Sequence, residues 1–341
     1  MGKKCLMKNN ILKIIIPVCI AIIAISIISL NSIGTSSEEN NFSTDHFVSK
    51  TITVGEFPIG ISVNPMNNII YVTNNHSDTI SVIDGKTNSV IETIIVGDGP
   101  AGISINPNTE MIYVANYYSD TVSVIDGKTN TVIKEIPVNN TPWGIEVNLE
   151  NNKVYVTNYF SNTISIIDGN KNNIISTVNT DKPWGIDVDS STGNVFIANR
   201  DSLTISILNE NSIEEVQISD TQFKISPIDV SYNKKTNLLY VANASLISII
   251  DISSNKILEP IAVGINLASV TINLDSNMIY ASDILNNVLY VIDGSTNMIK
   301  EEIKVGDHPI SLEINPITNT IYVVNEYSNS ISVINANKIT G

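Results

Sequence analysis

Short apolar runs of four to seven residues, rich in Ile and Val, recur along this chain with polar turn residues between them. Within the first unit they are Gly60 to Val63, Ile69 to Thr73, Thr79 to Ile83 and Val90 to Val96, broken by Asn-Pro, Asn-Asn and Asp-Gly-Lys-Thr-Asn. Helical spacing is absent and β-branched residues dominate, so each run predicts a strand. Strict alternation is weak because outward positions are apolar too, the pattern of strands covered on both faces. The phrase restarts 42 residues later at Val96-Gly97 and again at Val138, fades near Asn179 and Ser219, and returns at Val263-Gly264 and Val305-Gly306. Four strands per unit, repeated around an axis, predict an all-β propeller.

Residues 47–341 number 295, or 42.1 per unit for seven units, so seven four-stranded antiparallel blades fit. The last unit ends at Ile334–Ile339, after its third strand. The spare strand is at the other end, where Val48 to Val54 matches Val90 to Val96 in pattern. It is expected to close the ring as the outer strand of the last blade, hiding two open edges.

The second strand spells Tyr71-Val72-Thr73-Asn74 and again Tyr155-Val156-Thr157-Asn158, with close variants ending at Asn116, Asn243 and Asn325. With its Pro-x-Gly-Ile and Asp-Gly-x-x-Asn companions this motif resembles the YVTN family of seven-bladed β-propellers, which includes archaeal surface-layer proteins. Two units depart from it, at Phe196–Asn199 and Tyr280–Asp283. The resemblance implies the fold and no single chemistry, because fold does not settle function.

Ahead of the repeats, residues 1–13 carry Lys3, Lys4, Lys8 and Lys13 and read as a basic cytoplasmic flank. Residues 14–34 are apolar enough to cover roughly 30 Å as a helix, which predicts a signal anchor or a signal peptide. Residues 35–46 read as a polar linker. The lysines then stay inside and the propeller is placed outside the cell, on the membrane or secreted to the surface. Cys5 and Cys19 both lie in the leader, so thiolate metal sites are excluded from the repeats. Net charge is −15; without the leader lysines, 15 basic face 34 acidic residues, or −19. Such a surface disfavours nucleic acid, whose binding needs neutralised phosphates. Asn-x-Ser/Thr sequons stand at Asn41, Asn75, Asn139 and Asn243, several of them chance matches in so Asn-rich a chain.

Residues that recur in every unit read as scaffold. Asn74 and its equivalents are expected to satisfy backbone groups and to tolerate left-handed geometry. Function is expected where units differ on one shared face, made by the loop before the inner strand and the loop between the second and third strands. The first set holds Phe57, Gly99, Trp143, Trp184, Ile228 and His308. The second holds His76, Tyr117, Tyr118, Tyr159, Phe160, Arg200, Asp201, Glu326 and Tyr327. Both tryptophans and the only arginine fall there, predicting an aromatic crescent suited to a sugar or another flat ligand. Packing of Trp143 and Trp184 against neighbouring blades is the competing reading.

No nucleophile elbow, phosphate loop or paired-carboxylate motif is present. No cofactor is expected, although a divalent cation could be held by His76, His308 and Glu326. The main expectation is a non-catalytic binding or scaffold module for a cell-envelope protein or glycan. A metal-dependent enzyme is the alternative: streptogramin-type lyases are similar in their Gly-x-x-Pro-x-Gly-Ile repeat, which implies a His and acidic residues on the top face. Nucleic-acid binding, as in some periplasmic relatives, comes last.

Overall fold

The computed structural model describes residues 47–210, 212–218 and 226–339. The expected flank, anchor and linker of residues 1–46 lie outside them. Among the described residues no helix is long and apolar enough to cross a membrane.

Each predicted run becomes a strand, and each unit becomes one antiparallel sheet, making seven blades. In blade 1 the strands run Pro58–Asn64, Ile69–Asn74, Thr79–Asp84 and Ser89–Ile95 from inside out. Blade 7 takes Pro309–Asn315, Thr320–Asn325 and Ser330–Asn335 from the end of the chain and Val48–Thr53 from its start. The clasp pairs Thr53 with Ser330, Ile52 with Ile331 and Thr51 with Ser332. The inner strands form a closed ring in which each packs on both neighbours and the first meets the last. Blade 5 departs from the pattern: its outer strand is split into Lys256–Ile257 and Ile261–Ala262. Pro260, which lacks an N–H to donate, falls in the gap.

The core is seven apolar clusters, one in each interface between blades. Between blades 7 and 1, for example, Tyr322, Val324 and Ile331 pack on Ile61, Val63 and Ile70. This accounts for the weak alternation, since the second and third strands of each sheet are covered on both faces while the outer strand stays largely exposed. The motif tyrosines Tyr71, Tyr113, Tyr240, Tyr280 and Tyr322, with Phe196, are among the largest fully buried side chains. The glycine of Pro-x-Gly-Ile is there for close approach: a Cβ on Gly60 would lie 2.2 Å from the Ala101 carbonyl oxygen of the next blade. The Asp-Gly turns put their left-handed residue later, at Asn88 (φ 51°) in blade 1, while the Asp84 carboxylate accepts from Lys86 N–H at 2.8 Å.

The strand-ending asparagines differ from expectation in one respect. They are extended rather than left-handed, and act through their side chains. Asn74 Nδ2 donates to Thr79 Oγ1 (3.1 Å) and Ser81 Oγ (3.0 Å), while its Oδ1 accepts from Gly55 N–H at 3.0 Å. Two sequons are closed by burial. Asn243 is fully buried, and Asn75 Nδ2 donates to the Pro100 carbonyl at 3.2 Å.

Candidate functional site

The two variable loops of a blade do open on one end, tied together by backbone hydrogen bonds. Asn75 N–H donates to Phe57 O (2.9 Å), Tyr117 to Gly99 (2.8 Å), Tyr159 to Thr141 (3.0 Å) and Glu326 to His308 (3.0 Å). A second lock joins neighbouring blades. Phe57, Gly99, Thr141, Lys182 and His308 all have positive φ, between 46° and 67°. Their N–H groups donate to Asn329, Asp78, Asp120, Asn162 and Asn287 side-chain oxygens of the preceding blade, at 2.8–3.2 Å. A left-handed backbone is costly for Phe, His and above all β-branched Thr. The repeated lock supplies the compensation, so backbone geometry is constant while the displayed side chain changes.

Trp143 and Trp184 do not share this loop position with Phe57. Each is the second residue of an inner strand, Pro142–Val147 and Pro183–Val188. Their rings stack on each other across blades 3 and 4, centroids 4.0 Å apart. The Arg200 guanidinium sits 4.2 Å from the Trp184 ring centre, a cation–π contact. Tyr117 meets Trp143 edge-on at 5.7 Å, and Tyr159 meets Trp184 edge-on at 5.2 Å. Tyr118 packs on Tyr117 and Phe160 on Tyr159. Tyr159 Oη donates to Asp201 Oδ2 at 2.6 Å, and burial together with that carboxylate pushes its pKa up. All eight expected ligand-binding residues thus belong to one cluster. The tryptophan faces are partly used within it, as the packing reading expected, whereas Phe160 (50 %) and Tyr118 (36 %) remain exposed.

A second aromatic column stands where blades 7 and 1 meet. His76 stacks on Phe57 at 4.1 Å, Phe57 meets Tyr327 at 5.5 Å, and Tyr327 stacks on His308 at 4.1 Å. His308 Nδ1 pairs with the buried Glu326 carboxylate. The structure therefore joins His308 to Glu326 and leaves two rings between His308 and His76. Among the described residues no group of three or more His, Cys, Asp or Glu side chains is placed to hold a metal ion.

The chain is similar in fold to a solved chain of Kuenenia stuttgartiensis hydrazine synthase. The TM-score is 0.74 at 16 % identity, over 88 % of this chain and 99 % of that one. That identity carries the fold and no activity. No protein-family model matches the sequence, and no curated protein matches it. The seven-bladed fold stands on the structure.

One group escaped the reading of the sequence. Glu146, Asp187 and Glu313 occupy the inner-strand position held by Ser62 and Ser104 in blades 1 and 2, and Asp229 takes the glycine position of blade 5. They cap the free inner edges of adjacent sheets. Asp187 Oδ2 accepts from Tyr232 N–H at 2.7 Å, Asp229 Oδ2 from Val270 N–H at 3.0 Å and Ser269 Oγ at 2.7 Å, and Glu146 Oε1 from Ser104 Oγ at 3.2 Å. Burial, reinforced by charge from other members of the group, raises Glu146 to about 8, Glu313 to about 7 and Asp229 to about 6, while burial and the nearby Asp189 charge raise Asp187. The signal was available, since these are inner-strand positions where the units differ in charge.

Proposed function

We propose that this propeller is a non-catalytic binding module, exported to the cell surface, that engages a cell-envelope protein or glycan through its aromatic end. The observation that carries the reading is the two-way lock on the left-handed loop residues. It fixes one backbone geometry in five blades at Phe57, Gly99, Thr141, Lys182 and His308, and from it Phe57, Lys182 and His308 present an aromatic ring, a cation and an imidazole, while Thr141 is buried. A rigid frame that presents differing side chains suits recognition, because little conformational entropy is lost on binding. Exposed Phe160, Tyr118 and Tyr327 supply the aromatic anchors that interfaces favour. The leader of residues 14–34 is assigned the tether, with the four lysines on the cytoplasmic side.

Binding of the purified protein to isolated cell envelope tests this. Phe160→Ala with Tyr118→Ala is expected to weaken binding at least tenfold, the cost of losing one or two interfacial aromatics. Trp143→Ala with Trp184→Ala, which dismantles the frame of the cluster, is expected to abolish it. Undiminished binding by both folded double variants would place the contact on another surface.

A further inference from the structure

The aromatic end is not uniform around the ring. In blades 3 and 4 its four loops, residues 138–141, 159–162, 179–182 and 200–203, balance Asp181 and Asp201 against Lys182 and Arg200. Both cations lie over rings. Lys182 Nζ is 5.0 Å from the Tyr159 ring centre and 5.6 Å from that of Phe160, and Arg200 caps Trp184. Blades 7, 1 and 2 are neighbours in the closed ring, and their six matching loops are residues 305–308, 326–329, 54–57, 75–78, 96–99 and 117–120. These carry the carboxylates of Asp307, Glu326, Glu56, Asp78, Asp98 and Asp120 and no Lys or Arg.

The repeat places exposed rings among these carboxylates. Tyr118 and Tyr327 hold the position of Phe160, two residues past the end of the second strand. Asp98 and Asp307 are exposed two residues before the inner strand. Backbone hydrogen bonds seat the two together: Tyr118 N–H donates to Asp98 O at 3.1 Å, and Tyr327 N–H to Asp307 O at 3.2 Å. The loop position that gives Lys182 to Phe160 is held by Thr141 in blade 3 and Phe57 in blade 1. Among the described residues no Lys or Arg stands over Tyr118 or Tyr327. None pairs with any of the six carboxylates either; Glu326 alone has an imidazole partner, His308. The donors that reach Asp78, Asp120 and Asp307 are neutral N–H groups. Asp98 meets Asp78, and burial together with that like charge pushes its carboxyl up.

We propose that blades 7, 1 and 2 dock a basic peptide segment of a partner protein, its Lys and Arg side chains standing over Tyr118 and Tyr327 and pairing with Asp98 and Asp307. The proposal rests on the aromatic end being the binding surface and narrows its partner to a protein with a cationic segment. A cation on a ring face beside a carboxylate gains a cation–π contact and an ion pair together. The protein already uses the first of these at the equivalent ring, with Lys182 over Phe160. A neutral glycan would leave the six carboxylates without a counter-charge. Next to blade 7, blade 6 exposes Ile265 and Leu285 at the same two loop positions. Those aliphatic groups suit peptide side chains and offer a sugar no flat face.

The probe is a fluorescently labelled, capped peptide alternating Arg and Ser, titrated into the full-length protein and followed by anisotropy. A peptide with Gln in place of Arg is titrated in parallel. Saturable binding of the Arg peptide, weakened by salt, is expected, and none of the Gln peptide. Asp98→Asn with Asp307→Asn should weaken it roughly three- to tenfold. Tyr118→Leu with Tyr327→Leu, which keeps apolar bulk and removes the ring faces, should have an effect of about the same size. Glu150→Gln with Glu259→Gln removes equal charge from exposed positions away from this end and should leave binding unchanged. No saturable binding, equal binding of the Gln peptide, or undiminished binding by both arc variants would overturn the proposal. So would an equal loss in the Glu150 and Glu259 pair, which would reduce the attraction to net charge. Competition separates this from the broader reading. If Phe160→Ala with Tyr118→Ala weakens envelope binding but excess Arg peptide does not displace it, the aromatic end remains the binding surface and the basic partner is wrong.

Discussion

At the scale of the residue, the asparagine at the end of the second strand holds six of the seven blades together at their variable end. Asn158 Nδ2 donates to Thr163 Oγ1 at 3.2 Å and Ser165 Oγ at 3.0 Å, and Asn199, Asn116 and Asn325 repeat the pattern. Asn158→Ala would strand two buried hydroxyls and is expected to cost about 2–3 kcal/mol. Urea unfolding would measure it, and a loss below about 0.5 kcal/mol would show that water replaces the amide. Recurrence made these asparagines legible in the sequence as scaffold. Their backbone was not legible, because the tolerance of Asn for left-handed geometry names a residue type and not a position. The left-handed role falls on other members, Asn68, Asp78 and Asn88 in blade 1.

At the scale of the element, outer strands are where a propeller is exposed to unwanted pairing. Five of them carry a bulge, leaving Ile91, Ile133, Ile175, Lys300 and Ser49 without a partner residue. A bulge twists an edge away from the flat geometry that a second chain could extend. The clasp strand was fully readable, because a count of strands leaves one unit short and one strand over. It follows that truncation at Gly55 should lower the melting temperature on the order of 5–10 °C, through several lost backbone hydrogen bonds and the burial of Ile52. It should also promote association through the opened edge. Removal of residues 1–46 alone should leave melting unchanged. Equal melting of the two truncated forms would mean that the clasp adds no stability.

For the whole molecule, closure brings together groups that the chain keeps far apart. Glu146 and Glu313 are 167 residues apart in sequence, yet each feels the charge of Asp187. No local pattern could announce this, since a 42-residue period specifies neighbours and not what meets around an axis. The consequence is a pH dependence with a definite sign. In the unfolded chain these carboxylates titrate near their ordinary values, whereas folding raises Glu146 to about 8 and Glu313 to about 7. Between the two limits the folded state binds more protons than the unfolded one, so stability falls as pH rises. Stability from this source is fully present below about pH 4.5 and lost as pH climbs through the folded values. The urea midpoint of the native protein is therefore expected to decline from pH 5 to pH 8. Glu146→Gln with Glu313→Gln mimics the protonated pair and should flatten that decline while raising the midpoint at pH 8. Glu150→Gln with Glu259→Gln removes the same charge from exposed positions and separates the axial effect from general repulsion in an acidic protein. If both pairs flatten the profile equally, the slope belongs to net charge, and the carboxylates at the axis titrate as ordinary surface groups.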